Sequence, residues 1–170
     1  MSGSASPGGS GPVAAVPVAG VLAALRDRGQ TLSVAESLTG GLLAATIVDV
    51  PGASTVFRGG LVVYATDLKA TLAGVDARLL AERGPVDPDV ALALAVGVSE
   101  RCGTDWGLST TGVAGPGPQD GVAAGTVYIG LHRPGGEDAV RRLALAGDRA
   151  TIRRDVVTAA LVLLAGAVGV

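Results

Sequence analysis

Ser37 and Lys69 are the side chains whose types and surroundings best suit chemistry in this sequence of 170 residues. Lys69 is the single lysine beside twelve arginines, and lysine is the basic residue that can lose its proton near neutral pH. Ser37 follows an apolar, β-prone segment and precedes the Gly40-Gly41 pair, which predicts a strand-to-helix turn at the carboxyl edge of a sheet. A serine attacks a carbonyl carbon when a base lies within hydrogen-bond reach. The pair therefore predicts acyl transfer or amide hydrolysis without a metal or another cofactor.

Both residues also have simpler explanations. Ser37 or Thr39 could cap the helix that follows the turn, because Ser and Thr are favoured at that position. Lys69 could be a chance survivor in a chain that prefers arginine.

The single histidine and the single cysteine exclude other chemistry. One cysteine, Cys102, excludes a disulfide within the chain, and one cysteine with one histidine excludes a Cys/His zinc site. A Ser-His-Asp arrangement would have to use His132, which stands beside Arg133-Pro134-Gly135-Gly136, a sequence typical of a hairpin turn. The net charge of −2 gives no reason to expect a nucleic-acid partner.

Length and hydropathy indicate one domain and no membrane span. Residues 1–15 contain a Ser/Gly/Pro-rich segment and are predicted to form a flexible arm, and residues 16–170 a single domain with a core of small aliphatic side chains. The longest apolar runs, 13–25 and 159–170, are shorter than the about 18 residues that a span requires. The first run is interrupted by Pro17 and has no basic segment before it, so it is a poor signal peptide. We expect a cytoplasmic protein that forms a homo-oligomer, a dimer or higher.

The periodicity of the apolar residues predicts alternating helices and strands followed by a hairpin. Helices are predicted at 16–28, 42–48, 66–75, 76–83, 86–100 and from 148 onward, and strands at 32–35, 57–65, 105–110, 125–132 and 139–146. Gly59-Gly60 suggests a bulge or a close backbone approach in the second strand, and Thr66 is the predicted cap of the helix that contains Lys69. This order predicts a three-layer α/β/α sandwich with a mixed, mostly parallel sheet and one antiparallel strand.

Three segments leave predicted strands at the edge of the sheet where ligands bind. They are the Ser37 turn, the segment with Tyr64 and Lys69, and the Gly/Pro-rich loop 110–121. In the first turn of a buried helix, Lys69 would have a lowered pKa. We therefore predict Lys69 as the base, Tyr64 as a proton relay and backbone N–H groups of the glycine loops as oxyanion donors.

Six ordered motifs from about residue 16 to the end resemble the CinA C-terminal domain family. They are Ala35-Glu36-Ser37-Leu38-Thr39-Gly40-Gly41, Tyr64-Ala65-Thr66-Asp67-Leu68-Lys69, Gly84-Pro85-Val86, Thr111-Gly112-Val113-Ala114-Gly115-Pro116, Gly125-Thr126-Val127-Tyr128 and Gly147-Asp148-Arg149.

The resemblance implies the three-layer fold of that family and the activity of its enzymatic members, the nicotinamide-nucleotide amidases. These hydrolyse the carboxamide of nicotinamide mononucleotide to nicotinic acid mononucleotide and ammonia in pyridine nucleotide salvage. By resemblance Ser37 matches the nucleophile, Tyr64 and Lys69 match the family's Tyr and Lys positions, and Thr111 and Gly112 match the substrate loop. The residues predicted to bind the substrate are Thr39, Gly40, Gly41, Thr111, Gly112 and Gly115.

The sequence also departs from the family pattern. Leu38 stands where many members have Cys, Ala65-Thr66 stands where they often have Ser-Asn, and Pro118-Gln119-Asp120 replaces a glycine-richer stretch. The N-terminal pyrophosphatase-like domain of many members is missing from this sequence, so we expect the amidase half alone. Two alternatives stay open: a non-catalytic nucleotide-binding or competence-linked interaction module, and a serine hydrolase for a different amide.

Overall fold

A computed structural model describes residues 18–170 of the chain. The predicted arm at 1–15 and the first two residues of the predicted first helix lie outside the described residues. The strands are β1 (Leu32–Glu36), β2 (Phe57–Val62), β3 (Trp106–Gly112), β4 (Thr126–His132) and β5 (Ala139–Ala144). The helices are α1 (Val18–Asp27), α2 (Leu42–Val48), α3 (Thr66–Thr71), α4 (Ala77–Arg83), α5 (Pro88–Cys102) and α6 (Arg149–Val168), with a short 3-10 turn at Ala53–Thr55.

The five strands form one mixed sheet in the order β2-β1-β3-β4-β5. β1 pairs in parallel with β2 and β3, whereas β4 runs antiparallel to both of its neighbours. One strand therefore opposes the direction of the other four, which confirms the predicted mixed α/β sheet with one antiparallel member. The predicted hairpin is β4 and β5.

Helices pack against this sheet through two buried clusters of apolar side chains. Val34 of β1 belongs to a cluster with residues of α1, α2 and α6, and the next residue, Ala35, belongs to a cluster with residues of α5. Successive side chains of a strand point to opposite faces, so β1 contributes to both clusters. A Cβ at Gly107 or Gly130 would collide with a carbonyl oxygen of α5, so glycine lets α5 lie directly on β3 and β4. Across residues 18–170, no helix has the length and apolarity needed to cross a membrane.

Most predicted helix starts agree with the structure, and two details differ. Asp76, Asp87 and Asp148 each cap the following helix through a side-chain oxygen. Thr66 is already the first residue of α3, so the prediction that it caps the helix is wrong. β2 also ends earlier than predicted, because the chain turns after Val62 toward α3. The register shift of β2 against β1 at Leu32/Ser33 confirms an irregularity beside Gly59.

Candidate active site

Ser37 lies in the turn directly after β1, at the edge of the sheet where β3 also ends. Its N–H donates to Thr110 O at 2.9 Å, which extends the pairing of β1 with β3 by one residue. Its hydroxyl Oγ lies 3.0 Å from Lys69 Nζ, and the side chains of both residues are buried. The structure therefore brings the predicted nucleophile and base into hydrogen-bond contact.

Lys69 is held in that place by the chain that joins β2 to α3. Its Nζ donates to Val63 O at 2.8 Å and reaches Tyr64 O at 3.5 Å, while its side chain is only 1% exposed. In the described part of the chain no carboxylate forms a salt bridge with it. Burial therefore removes water from the ammonium without a compensating charge, and lowers the pKa of Lys69 from 10.5 to about 8.

The start of α2 is capped by Glu36 and not by Ser37 or Thr39. The buried Glu36 carboxylate accepts hydrogen bonds from the N–H groups of Gly41, Leu43 and Ala44, at 3.1, 2.9 and 2.8 Å. The capping alternative for Ser37 and Thr39 is therefore wrong. The N–H groups at the start of this helix are therefore not free to bind an anion, because a carboxylate of the same chain already occupies that position.

The predicted substrate-binding residues of the turn face other partners. Gly40 N–H donates to Ser37 O, and Gly41 N–H donates to Glu36, so neither is available as an oxyanion donor. The Thr39 hydroxyl bonds with the Thr110 hydroxyl at 2.8 Å in the interior. None of these three residues lines the cavity beside Ser37. The prediction that this glycine pair supplies oxyanion donors is therefore wrong. The role of Thr39 in the structure is to join the turn to β3.

A cavity of about 300 Å³ opens beside Ser37 and Lys69. All three predicted segments contribute to its wall, and so does the loop at Pro85-Val86. Thr111, Gly112 and Gly115, which the sequence predicts to bind the substrate, line it. Its other lining residues are Leu38, Tyr64, Thr66, Val113, Ala114, Gly117, Pro118, Gln119 and Arg149.

Tyr64 stands at the mouth of this cavity and not beside the nucleophile. Its side chain is 58% exposed, and its hydroxyl accepts a hydrogen bond of 2.7 Å from Arg149 Nη2. Arg149 Nη1 also donates to Gly115 O at 2.8 Å, so the guanidinium joins Tyr64 to the loop after β3. Nothing in residues 18–170 links the Tyr64 hydroxyl by a hydrogen bond to Ser37 or Lys69. The predicted proton relay is not formed in this arrangement.

His132 lies away from Ser37. It pairs with Gly107 of β3, toward the opposite end of that strand from Thr110, and its Nδ1 lies 2.6 Å from Asp138 Oδ1. The single histidine therefore does not serve as the base for Ser37 in this structure.

The sequence does not predict that Arg153 of α6 contacts the nucleophile turn. Arg153 Nε donates to Leu38 O at 2.9 Å, and its Nη2 donates to Thr39 O at 2.7 Å. Arg149 and Arg153 are four residues apart and so share one face of α6. That spacing was visible in the sequence, but nothing in the sequence showed which part of the chain the face would meet.

A family model described as CinA C-terminal domain matches residues 16–168 of this chain. The chain is 53% identical over 141 residues to a CinA-like protein of Frankia casuarinae, which covers 83% of this chain and 32% of that protein. It is 48% identical to a CinA-like protein of Myxococcus xanthus, over 78% of this chain and 32% of that protein. The chain thus spans about a third of the length of these curated relatives.

Solved structures with similar folds carry related descriptions. A competence/damage inducible protein from Agrobacterium tumefaciens has a TM-score of 0.85 and 29% identity, over 90% of this chain and 93% of that one. A competence-damaged protein (CinA) superfamily protein from Enterobacter cloacae has a TM-score of 0.86 and 27% identity, over 98% and 99%.

Proposed function

This chain belongs to the CinA C-terminal domain family, and on that premise we propose that it is an amidohydrolase with Ser37 as nucleophile and Lys69 as base. The proposed reaction converts nicotinamide mononucleotide to nicotinic acid mononucleotide and ammonia, as part of pyridine nucleotide salvage. The observation that carries the proposal is the contact of 3.0 Å between Lys69 Nζ and Ser37 Oγ beside a cavity. The choice of substrate is supported by the motif resemblance.

The surroundings of Lys69 suit a base. With a pKa of about 8, roughly a tenth of the amine is neutral at pH 7, far more than for an ordinary lysine. A neutral amine has two N–H groups, which can donate to Val63 O and Tyr64 O, and one lone pair, which then faces Ser37 Oγ. The lone pair can accept the hydroxyl proton as Ser37 attacks.

The proposed reaction has two halves, each with Lys69 moving one proton. Ser37 Oγ bonds to the carboxamide carbon while its proton passes to Lys69, and the C–N bond then breaks as Lys69 returns the proton to the leaving ammonia. Water attacks the resulting acyl-serine ester, giving a proton to Lys69, and the ester C–O bond breaks. The carboxylic acid releases its proton to solvent and leaves as its carboxylate, and Ser37 recovers a proton from Lys69.

The mouth of the cavity supplies a contact for the phosphate of a nucleotide. Arg149 lines the cavity, and within residues 18–170 its guanidinium bonds only to neutral oxygen atoms, those of Tyr64 and Gly115. A guanidinium without a carboxylate partner is well suited to bind a phosphate. A cavity of about 300 Å³ is at the lower end of the range for small-molecule sites.

Two finer statements from the sequence stay proposals, the three-layer arrangement and the homo-oligomer. Val34 and Ala35 of β1 belong to different buried clusters, which supports the three-layer α/β/α arrangement of the family. The homo-oligomer expected from the sequence stays a proposal, to be measured by light scattering of the purified chain.

The test of the proposed function is ammonia release from nicotinamide mononucleotide by the purified chain, with Ser37→Ala as the matched control. We expect wild type to release ammonia and nicotinic acid mononucleotide in equal amounts, and Ser37→Ala to release neither. Wild type that binds the nucleotide by calorimetry but releases no ammonia would favour the binding-module alternative. A panel of other pyridine carboxamides, assayed in parallel, identifies a different amide substrate.

A further inference from the structure

Two backbone N–H groups next to Ser37 are left without an acceptor, although the rest of the turn is fully bonded. The N–H groups of Gly40 and Leu42 donate to carbonyl oxygens of the turn, and those of Gly41, Leu43 and Ala44 donate to Glu36. Within residues 18–170, neither the N–H of Leu38 nor that of Thr39 has a hydrogen-bond partner. Leu38 itself lines the cavity beside Ser37.

The direction of each of these N–H groups is set by the carbonyl of the same peptide. In a trans peptide the C=O and N–H bonds point in opposite directions. The carbonyl of Leu38, which shares a peptide with the N–H of Thr39, is held by Arg153 Nε at 2.9 Å. The carbonyl of Ser37, which shares a peptide with the N–H of Leu38, is held by Gly40 N–H at 3.1 Å. Thr39 is fully buried and does not line the cavity, whereas Leu38 does, so the N–H of Leu38 is the one open to the cavity.

We propose that Arg153 is a positioning residue, which holds the carbonyls of Leu38 and Thr39 and so fixes the turn in which the N–H of Leu38 faces the cavity as an oxyanion donor. This inference rests on the proposed acyl-transfer function, but not on the identity of the nucleotide. Free N–H donors beside the nucleophile stabilise the negative oxygen of a tetrahedral intermediate, and they do so most when they are fixed in advance.

A second bond and an unneutralised charge strengthen the role of Arg153. Its Nη2 also donates to Thr39 O at 2.7 Å, so one planar guanidinium fixes two successive carbonyls. No carboxylate in residues 18–170 forms a salt bridge with it. Its positive charge therefore adds to the field that favours an oxyanion at the turn.

The chain offers a matched control in the next residue. Arg154 is exposed, and among the described residues its guanidinium bonds only to the Thr151 hydroxyl, at 3.3 Å. Arg154→Ala removes the same side chain from the same helix without touching the Ser37 turn.

The experiment measures how fast a fluorophosphonate labels Ser37, by mass spectrometry of the intact chain. In that reaction Ser37 Oγ bonds to phosphorus, fluoride leaves, Lys69 takes the hydroxyl proton, and negative charge develops on the phosphoryl oxygen. We expect Arg153→Ala to label at least about tenfold more slowly than wild type, since loss of one oxyanion donor costs about 10²–10³ in rate. We expect Arg153→Lys to lie between the two, and Arg154→Ala to label at the wild-type rate.

Three further readouts separate positioning from a loss of fold. Added guanidinium ion should restore part of the labelling of Arg153→Ala and none of that of Arg154→Ala. For the carboxamide substrate, kcat should fall in Arg153→Ala while KM stays within about twofold, because the lost interaction exists only in the transition state. Circular dichroism at the assay temperature reports whether each variant is folded, and Arg153→Lys carries the test if Arg153→Ala is not.

The outcomes separate this inference from the proposed function. The inference is overturned if folded Arg153→Ala labels at the wild-type rate. If Arg153→Ala does not fold, the same result with folded Arg153→Lys overturns it. Wild type that labels at Ser37 but releases no ammonia from nicotinamide mononucleotide would overturn the proposed substrate and leave the role of Arg153 measurable. Absence of labelling at wild-type Ser37 would overturn both.

Discussion

The floor of the cavity and its rim are built in different ways. We use floor for Ser37, Lys69 and the two residues that fix the Ser37 turn, Glu36 and Arg153, and rim for Tyr64, Arg149 and the loop of residues 113–119. Lys69 is 1% exposed and Glu36 is 1% exposed, whereas Tyr64 of the rim is 58% exposed. The polar side-chain groups of the floor are bonded inside the protein, and those of the rim share their bonds with solvent.

This difference assigns different tasks to the two regions. A buried polar group left without a partner costs about 1–3 kcal/mol, so the bonds of the floor hold Ser37 and Lys69 in one geometry. The Arg149 bonds at the rim are exposed, so they exchange easily for bonds to a ligand. Chemistry that needs a fixed geometry belongs to the floor, and recognition of a charged substrate group belongs to the rim.

The largest effect that this comparison predicts comes from removing Lys69, the base of the floor. Lys69→Met should lower kcat by about 10³-fold or more while nucleotide binding changes little, because Ser37 then has no base within reach. Lys69→Arg is the control, since Arg keeps a positive charge but does not release its proton. Steady-state ammonia release and calorimetry measure both quantities. Turnover retained in either variant would remove Lys69 from the mechanism.

A rim substitution should act on binding. Arg149→Gln should raise KM by roughly 10- to 100-fold with kcat little changed, since a hydrogen bond to a charged group contributes about 1.5–3 kcal/mol. Nicotinamide riboside, which lacks the phosphate, is the control substrate, and wild type and variant should use it equally well. If Arg149→Gln instead lowered kcat with KM constant, Arg149 would belong with the chemistry and the division between floor and rim would fail.

Ser37 and Lys69 could be predicted from the sequence because the signals for them are local or come from composition. Ser37 stood between a β-prone segment and a glycine pair, and Lys69 was the single lysine, near the start of a predicted helix. The parallel order of the strands then brought both to one sheet edge. No such signal showed how the turn itself is bonded. Glu36 could be predicted as an acidic residue near a helix start, but its three bonds depend on the path of the chain through Gly40 and Gly41.

The contacts of the two arginines, Arg149 of the rim and Arg153 of the floor, were harder to predict because they join residues that are distant in sequence. Arg149 meets Tyr64 across 85 residues, and Arg153 meets Leu38 across 115. Helical spacing places both arginines on one face of α6, but the partner of that face depends on how α6 packs against the sheet. Tyr64 was assigned to proton transfer from its proximity to Lys69 in sequence. In the structure its backbone carbonyl faces Lys69 and its hydroxyl faces Arg149.

A smaller effect should appear in the pH dependence of the floor. With a Lys69 pKa of about 8, kcat/KM should rise about tenfold from pH 7 to pH 9, as the amine loses its proton. Stability should change in the same direction. The lysine has a pKa of about 8 when folded and 10.5 ordinarily, so the unfolded chain binds more protons between these values, and the free energy of unfolding rises with pH across them.

The control for this prediction is the Lys69→Met variant. Its unfolding free energy, measured in urea from pH 7 to 10.5, should lack the rise of up to roughly 3 kcal/mol that Lys69 gives wild type. Equal slopes for wild type and variant would show that Lys69 titrates as an ordinary exposed lysine.

The smallest effect should come from the rim hydroxyl. Tyr64→Phe removes only an oxygen that bonds to Arg149, and Arg149 keeps its bond of 2.8 Å to Gly115 O. Exposed bonds contribute little, so kcat and KM should each change by less than about fivefold. A proton relay would give the opposite result, because loss of a general acid or base costs about 10²–10⁴ in rate. The kcat of Tyr64→Phe, assayed by ammonia release, therefore decides between the relay predicted from the sequence and the rim contact. A loss of kcat in that range with KM unchanged would require Tyr64 to move from Arg149 toward Ser37 when substrate binds, and would place its hydroxyl with the floor.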